Sequence, residues 1–350
     1  PDPLPGGETT MSAFALVRQG RRHRRLRRGL VVTILSVATV AAFIASLCLG
    51  EQMYSPSQVV DALRGQVGPA SFIIGDLRLP RTIAGLLCGA AFGLVGALFQ
   101  ALLRNTLASP DVIGITAGAN TAAVAGIIVL GWSGLQLTCL AVAGAIVTAG
   151  IVVGLARHDT SGGERLILMG IATGAMATAG TMWLMVRADP NDAAGAARWL
   201  AGNLAVASAD QSATLAVVLV IGLPVLLANS RHLGTMDVGD DLATGLGVHV
   251  ERTRALLMIV GVIVLACATA VAGPIAFVSL MCGPIAFRLC GPGDAPLMAS
   301  ALTGSVLVLV CDFVGANLMS HTYPVGLVTG ILGGVYLLIV MARQSRKESA

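Results

Sequence analysis

Residues 112–156 contain no Asp, Glu, Lys or Arg, a run of 45, and residues 255–287 give a second such run of 33. A helix crossing the hydrocarbon core takes about 20 apolar residues, so each run has room for two crossings. Gly131 and Gly134 flank a turn near Trp132 in the first run, and Gly273-Pro274 interrupts the second. Single crossings are expected over 29–50, 82–103, 166–186, 211–230, 296–315 and 324–342. The total is ten helices, which returns both termini to one side. Only 11% of residues are charged, against about 25% in soluble domains, so a soluble fold is excluded. The 43 Gly and 14 Pro suit closely packed membrane helices. The expected class is therefore an all-α integral membrane protein. A basic tail over 1–28 precedes the membrane domain 29–342, and a short tail 343–350 follows it.

The basic residues orient this topology. With the N-terminus inside, the inner segments hold 17 of the 22 Lys and Arg and the outer segments hold 5. That bias obeys the positive-inside rule and places both termini in the cytoplasm. The first apolar run is 22 residues long, beyond the roughly 7–15 of a signal-peptide core. Residues 1–10, ahead of Met11, are set aside from the fold reasoning.

Several chemistries are excluded by what is missing. Lys347 is the only lysine, so no glycine-rich phosphate loop with its Lys exists in this chain. The seven cysteines show neither CxxC pairing nor zinc spacing and read as small buried hydrophobes. No metal site or nucleophile–base constellation is visible. Nucleic-acid binding is unexpected, because the basic residues sit in short blocks between apolar runs. Glycines recur four apart at 85/89/93, 114/118, 150/154, 170/174 and 326/330/334, a pattern that brings helix backbones close.

Three segments are more specific. Leu77-Arg78-Leu79-Pro80-Arg81-Thr82 enters the second span and continues through Gly89, Gly93, Gly96 and Gln100 to Arg104-Asn105-Thr106-Leu107-Ala108-Ser109-Pro110-Asp111. Gly239-Asp240-Asp241-Leu242-Ala243-Thr244-Gly245-Leu246-Gly247-Val248 lies between the sixth and seventh spans. Ala272-Gly273-Pro274-Ile275-Ala276-Phe277-Val278-Ser279-Leu280 follows the seventh. In this order they resemble the permease subunits of bacterial iron-siderophore and vitamin B12 ABC importers, the FecCD/BtuC family, over nearly the whole chain.

The resemblance implies a BtuC-like permease of ten helices that binds no cofactor itself. A partner ATPase would use ATP and Mg. The implied partners are a second permease, two ATPase subunits, an external substrate-binding protein and membrane lipid. Arg78 and Arg81 would meet acidic residues of the binding protein, as an outward guanidinium pair can. The segment 237–248 would be the coupling helix. Asp240 would cap it, Gly247 would close it in the left-handed region, and Leu242, Leu246 and Val248 would seat on the ATPase, with Asp241 and Ala243 in the same helix. Asp312 stands between long uncharged runs as an intramembrane polar residue, and its role is open between transport and structure. His321 reads as a surface residue.

The chain also departs from the family pattern. Pro284 stands where the family has a His, and Arg288 is displaced by one position. Asn317 replaces an Arg of some members, which favours a heterodimer with a non-identical permease over a homodimer. Gly163 and Glu164 align weakly with the family's inner gate, and no gate residue is assigned. The expected function is import of a ferric siderophore across the cytoplasmic membrane by alternating access. The alternatives are cobalamin or haem on the same machinery and, more distantly, a proton-coupled secondary transporter.

Overall fold

The computed structural model describes residues 7–66, 68–111, 114–156, 163–293, 295–319 and 321–348. The elements are α1 (Gly7–Cys48), α2 (Pro56–Leu63), α3 (Pro69–Ser71), a π-helical stretch Phe72–Arg78, α4 (Leu79–Leu102), α5 (Ile115–Leu130), α6 (Gly134–Ala156), α7 (Gly163–Arg187), α8 (Pro190–Leu200), a 3-10 turn Leu204–Val206, α9 (Ala209–Ala228), α10 (Ser230–Met236), α11 (Asp240–Gly245), α12 (Val250–Ala272), α13 (Val278–Cys290), α14 (Leu297–Asn317) and α15 (Val325–Glu348). Among the described residues eight helices are long and apolar enough to cross a membrane. The other two expected crossings, α5 and α13, are shorter apolar helices of 16 and 13 residues. The basic segment ahead of the first span is not a separate tail, because α1 runs through it unbroken.

Local chemistry sets the ends of these helices. Ser55 and Gln58 form a reciprocal capping box at α2, with Pro56 in the first turn. Ser208 and Gln211 do the same at α9. Gly131 ends α5 at φ +62° and Gly273 ends α12 at φ +71°. Pro274 then prevents continuation, and α13 starts only after Phe277, which sits at φ +63°. This break gives α13 its short length.

The centre of the bundle is α4, whose apolar window is 78% buried, against 11% for the corresponding windows of α1 and α7. It packs on α14, α13 and α12, and α12 also contacts the α5–α6 pair. The α4–α14 seam is backbone on backbone. A Cβ on Gly89 would lie 2.4 Å from the Gly304 carbonyl oxygen, and one on Gly304 would lie 2.0 Å from that of Gly89. Gly93 meets the Ser300 carbonyl, and Gly96 meets that of Ser279 in α13, equally closely. The Ser305 hydroxyl donates across the seam to the Leu86 carbonyl at 2.9 Å. At the Arg81 end of the seam, Arg81 grips Asp312 with two parallel bonds, Nε to Oδ2 and Nη2 to Oδ1, both 2.8 Å.

The glycine stripes thus divide. Gly89 and Gly93, and Gly114 and Gly118, touch neighbouring backbone or side chains, whereas Gly150, Gly154, Gly330 and Gly334 face open space within this chain. Of the seven cysteines, all free, six are buried and Cys139 is exposed.

These contacts predict opposite outcomes for two glycines. Gly304→Val should destabilise the chain by about 2 kcal/mol or more, because the rigid facing backbone must move. Gly330→Ala should be neutral or slightly stabilising, since Ala favours helix over Gly. Asp312→Asn should cost about 3 kcal/mol by leaving a largely buried guanidinium unpaired. Thermal unfolding of the purified protein in mild detergent measures all three.

Candidate coupling and transport site

The segment 237–248 folds as the short helix α11, bounded by Gly239 at φ +134° and Gly247 at φ +86°. Its two faces differ. Ala243 is fully buried, while Leu242 and Leu246 are 54% and 67% exposed. Val238, just ahead, is also exposed. Val248 was expected among the outward apolar side chains, but it is buried in the main core. The chain turns inward after Gly247, with the Val248 N–H donating to the Ala243 carbonyl at 3.0 Å. Asp241 and Gly247 are exposed.

Asp240 is not the cap of this helix. It is the first helical residue, and Gly239 at the cap position offers no side-chain acceptor. The carboxylate is instead occupied by two arginines. Arg254 of α12 donates to Oδ2 at 2.9 Å and Oδ1 at 3.1 Å. Arg104, just past α4, donates to Oδ1 and also to the Met236 carbonyl at the end of α10. Partial burial opposes ionisation of Asp240, but hydrogen bonds and charge from Arg254 and then Arg104 outweigh it. The carboxyl is therefore held below the usual carboxylate range. It stays ionised at neutral pH and would lose its arginine pairing only in acid, as pH falls through that lowered value.

The side chains of Arg78 and Arg81, expected to point outward as a pair, are both engaged within the chain. Arg78 donates to the carbonyls of Leu47 at 2.9 Å and Gln52 at 2.8 Å, and its guanidinium lies 5.3 Å from the Tyr54 ring centre. It fits there because residue 50 is glycine, where a Cβ would come within 2.4 Å of Nη2. Arg81 is held by Asp312, with the two side chains 23% and 14% exposed. The physical reason is shared: a guanidinium at the edge of an apolar bundle takes the nearest acceptors rather than remaining half-solvated. The lone acid in α14 therefore has a fixed partner. Asn317 donates to the Phe313 carbonyl of its own helix. His321 is exposed. The surroundings of Gly163 and of the Glu164 side chain lie outside what the structure describes.

Three cavities adjoin one another through shared lining residues. One of about 420 Å³ lies at the end of α4 that carries Arg104 and is lined by Asn105, Leu107, Leu280, Arg288 and Tyr336. The second, about 630 Å³, is lined by Asp111, Asn120, Phe277 and Leu337 and shares Leu107 and Leu280 with the first. The third, about 510 Å³, is lined by Thr178, Met182, Met185 and Leu200 and shares Ala117 and Asn120 with the second. Leu107 is placed by Asn105, whose side-chain oxygen accepts the Leu107 N–H at 2.9 Å. Asp111 accepts from the hydroxyls of Thr116 at 2.5 Å and Ser109 at 3.1 Å. Irregular backbone at residues 104–111 and 273–277 thus lines cavities, where non-helical chain is tolerated inside a membrane protein.

The pairing of Arg104 and Arg254 with Asp240, and the lining of cavities by the segments 104–111 and 273–277, were not foreseen from sequence. Arg254 counted there only as an inner charge, and Arg104 as an inner charge and part of a family motif, with no partner assigned to either. The available signal was that both flank apolar helices beside the one segment with consecutive aspartates.

Comparisons with known proteins show the family and the fold. The FecCD transport family matches residues 38–343. The ferric enterobactin transport system permease protein FepG of Escherichia coli (strain K12) is 38% identical over 328 residues, covering 92% of this chain and 98% of that protein. The FepD permease protein of the same ferric enterobactin system is 34% identical, covering 91% and 97%. A solved metal-chelate type ABC transporter in an inward-facing conformation shares the fold at a TM-score of 0.79 and 23% identity, over 90% of this chain and 99% of that one. With the family spanning most of its length and its relatives matched end to end, the chain belongs to the FecCD transport family, the permeases of siderophore and vitamin B12 ABC importers.

Proposed function

We propose that this chain is one of two permease subunits of an importer that carries a ferric siderophore across the cytoplasmic membrane by alternating access. ATP and Mg are used by partner ATPases, not by this chain. The observation that carries the reading is the two-faced helix α11. Leu242 and Leu246 stand exposed at one end of the bundle, while Asp240 and Ala243 are tied to the membrane helices behind them. Such a helix presents an apolar docking face to a soluble subunit and is backed by the elements that must move. The excess of basic residues at that end supports a cytoplasmic location for it and for both termini.

The adjoining cavities support a half-pathway along this subunit, completed by a second permease. FepG and FepD are two non-identical permeases of one transport system, which supports a heterodimer here. An external binding protein would dock at the opposite end, with Arg78 supplying positive charge. Arg81, neutralised by Asp312, would position that surface from behind. Proton coupling is disfavoured, because the single acid of α14 is already committed to an arginine.

Two measurements test the reading. Cells or proteoliposomes containing the complete transporter should accumulate iron from ferric enterobactin or another ferric siderophore. Uptake should stop on ATP depletion and survive collapse of the proton gradient; the reverse pattern would refute the reading. Vitamin B12 and haem, offered in the same assay, separate the cargo alternatives. Leu242→Glu combined with Leu246→Glu should weaken retention of the ATPase about tenfold or more, as loss of central apolar anchors does. Co-purification in detergent reads that loss.

A further inference from the structure

We propose that Asp240 is the joint that carries movement of the docking helix into two segments that line the transport cavities, with Arg104 and Arg254 as its two arms. The inference rests on the importer reading above and adds to it the side-chain contacts through which the docking helix would act.

The first arm runs through Arg104. Helix α4 ends in a tight turn in which the Arg104 N–H donates to the Ala101 carbonyl at 3.3 Å and the Asn105 N–H to that of Gln100 at 3.1 Å. This pair of bonds calls for a left-handed residue just past the helix, a position where glycine is the common choice. Arg104 occupies it at φ +50°, one of two non-glycine residues with positive φ among those described. A side chain held in a disfavoured backbone region points to a task for that side chain. The guanidinium of Arg104 bonds the Met236 carbonyl and the Asp240 carboxylate. The next residues along the chain, Asn105 to Leu107, line the first cavity, and Leu107 also lines the second.

The second arm runs through Arg254. It leaves Asp240 near the start of α12, and α12 ends at the Gly273-Pro274 break. Pro274, Ile275, Ala276 and Phe277 after that break line the second cavity, as Leu107 does. One carboxylate therefore contacts, through Arg104 and Arg254, two elements whose continuations both line that cavity. The outer face of the same helix carries Leu242 and Leu246. A displacement applied at those leucines reaches Asp240 within one helical turn, and from there both elements.

A structural role and a coupling role make different predictions. We would reconstitute the complete importer with Asp240→Asn and, separately, with Arg104→Gly. Radiolabelled iron uptake and ATP hydrolysis would be measured on the same vesicles, with ferric enterobactin, ferric citrate and vitamin B12 each offered to the unmodified transporter first. Arg104→Gly removes the arm while placing the favoured residue in the turn, so its thermal stability should not fall. In both variants the ATP hydrolysed per cargo imported should rise about tenfold, within the usual range of coupling between sites. Asp240→Glu should recover much of the loss. An unchanged ratio in an assembled Arg104→Gly transporter would overturn the proposal, and that variant decides the matter if Asp240→Asn fails to assemble. If the unmodified transporter imports none of these cargoes with ATP, the importer reading fails instead.

Discussion

The close approach of α4 and α14 is the contact on which the rest of the bundle depends. Membrane helices gain little from burying apolar surface against each other, because lipid is equally apolar. They associate through packing that lipid cannot match. Here that packing is backbone against backbone, and it requires hydrogen in place of a side chain at Gly89, Gly93 and Gly304. Dispersion contacts weaken steeply with separation, so one added methyl would loosen the whole seam. With α14 this close, α4 is fixed, and its 24 residues extend for about 36 Å. That rod places Arg81 at one end of the bundle and Arg104 at the other.

Polar groups are handled differently along the rod. Several hydroxyls within the spans bond the carbonyl four residues back, as Thr82 does to Arg78 and Ser300 to Pro296, and so are satisfied without water. Where the backbone leaves the helix, at 104–111 and 273–277, it borders the cavities instead of lipid. The α13 helix is short because this break consumes part of the apolar run. A helix interrupted by Gly-Pro thus trades a continuous hydrogen-bond ladder for irregular backbone that lines a cavity.

Much of this was legible in the sequence. The charge-free runs gave the crossings, because lipid forces the backbone into helices wherever charges are absent for long enough. Gly131 and Gly273-Pro274 marked real breaks for a local reason, the left-handed turn each requires. Which glycine stripes meet a neighbour was not legible, since Gly89 and Gly330 look alike until the facing helix is known. The same limit applied to the charges. Asp240 carries a local signature of a helix cap, and Arg81 one of an exposed recognition residue. Their partners, Arg254 and Asp312, lie 14 and 231 positions away. Tertiary pairing overrode both local signals because a charged group takes the strongest acceptor or donor within reach. Val248 was misplaced for a related reason: an apolar residue after a left-handed glycine turns with the chain, not with the helix face before it.

The two ionic clusters at the ends of α4 differ in a way that matches their places. Arg81 and Asp312 are 23% and 14% exposed and joined by a bidentate pair. Removing water from both charges makes separation expensive, so this end is a fixed anchor that keeps the α4–α14 seam in register. Arg104 and Asp240 are each 43% exposed, and Arg254 33%. Water can replace these bonds as they open, and exposed pairs contribute only about 0–1 kcal/mol each. Such contacts are poor anchors and good joints, since they can break and re-form with little change in free energy. Under the proposed alternating-access function, the weaker cluster would belong where an ATPase subunit docks, and on that reading it is the end at which α11 presents its leucines.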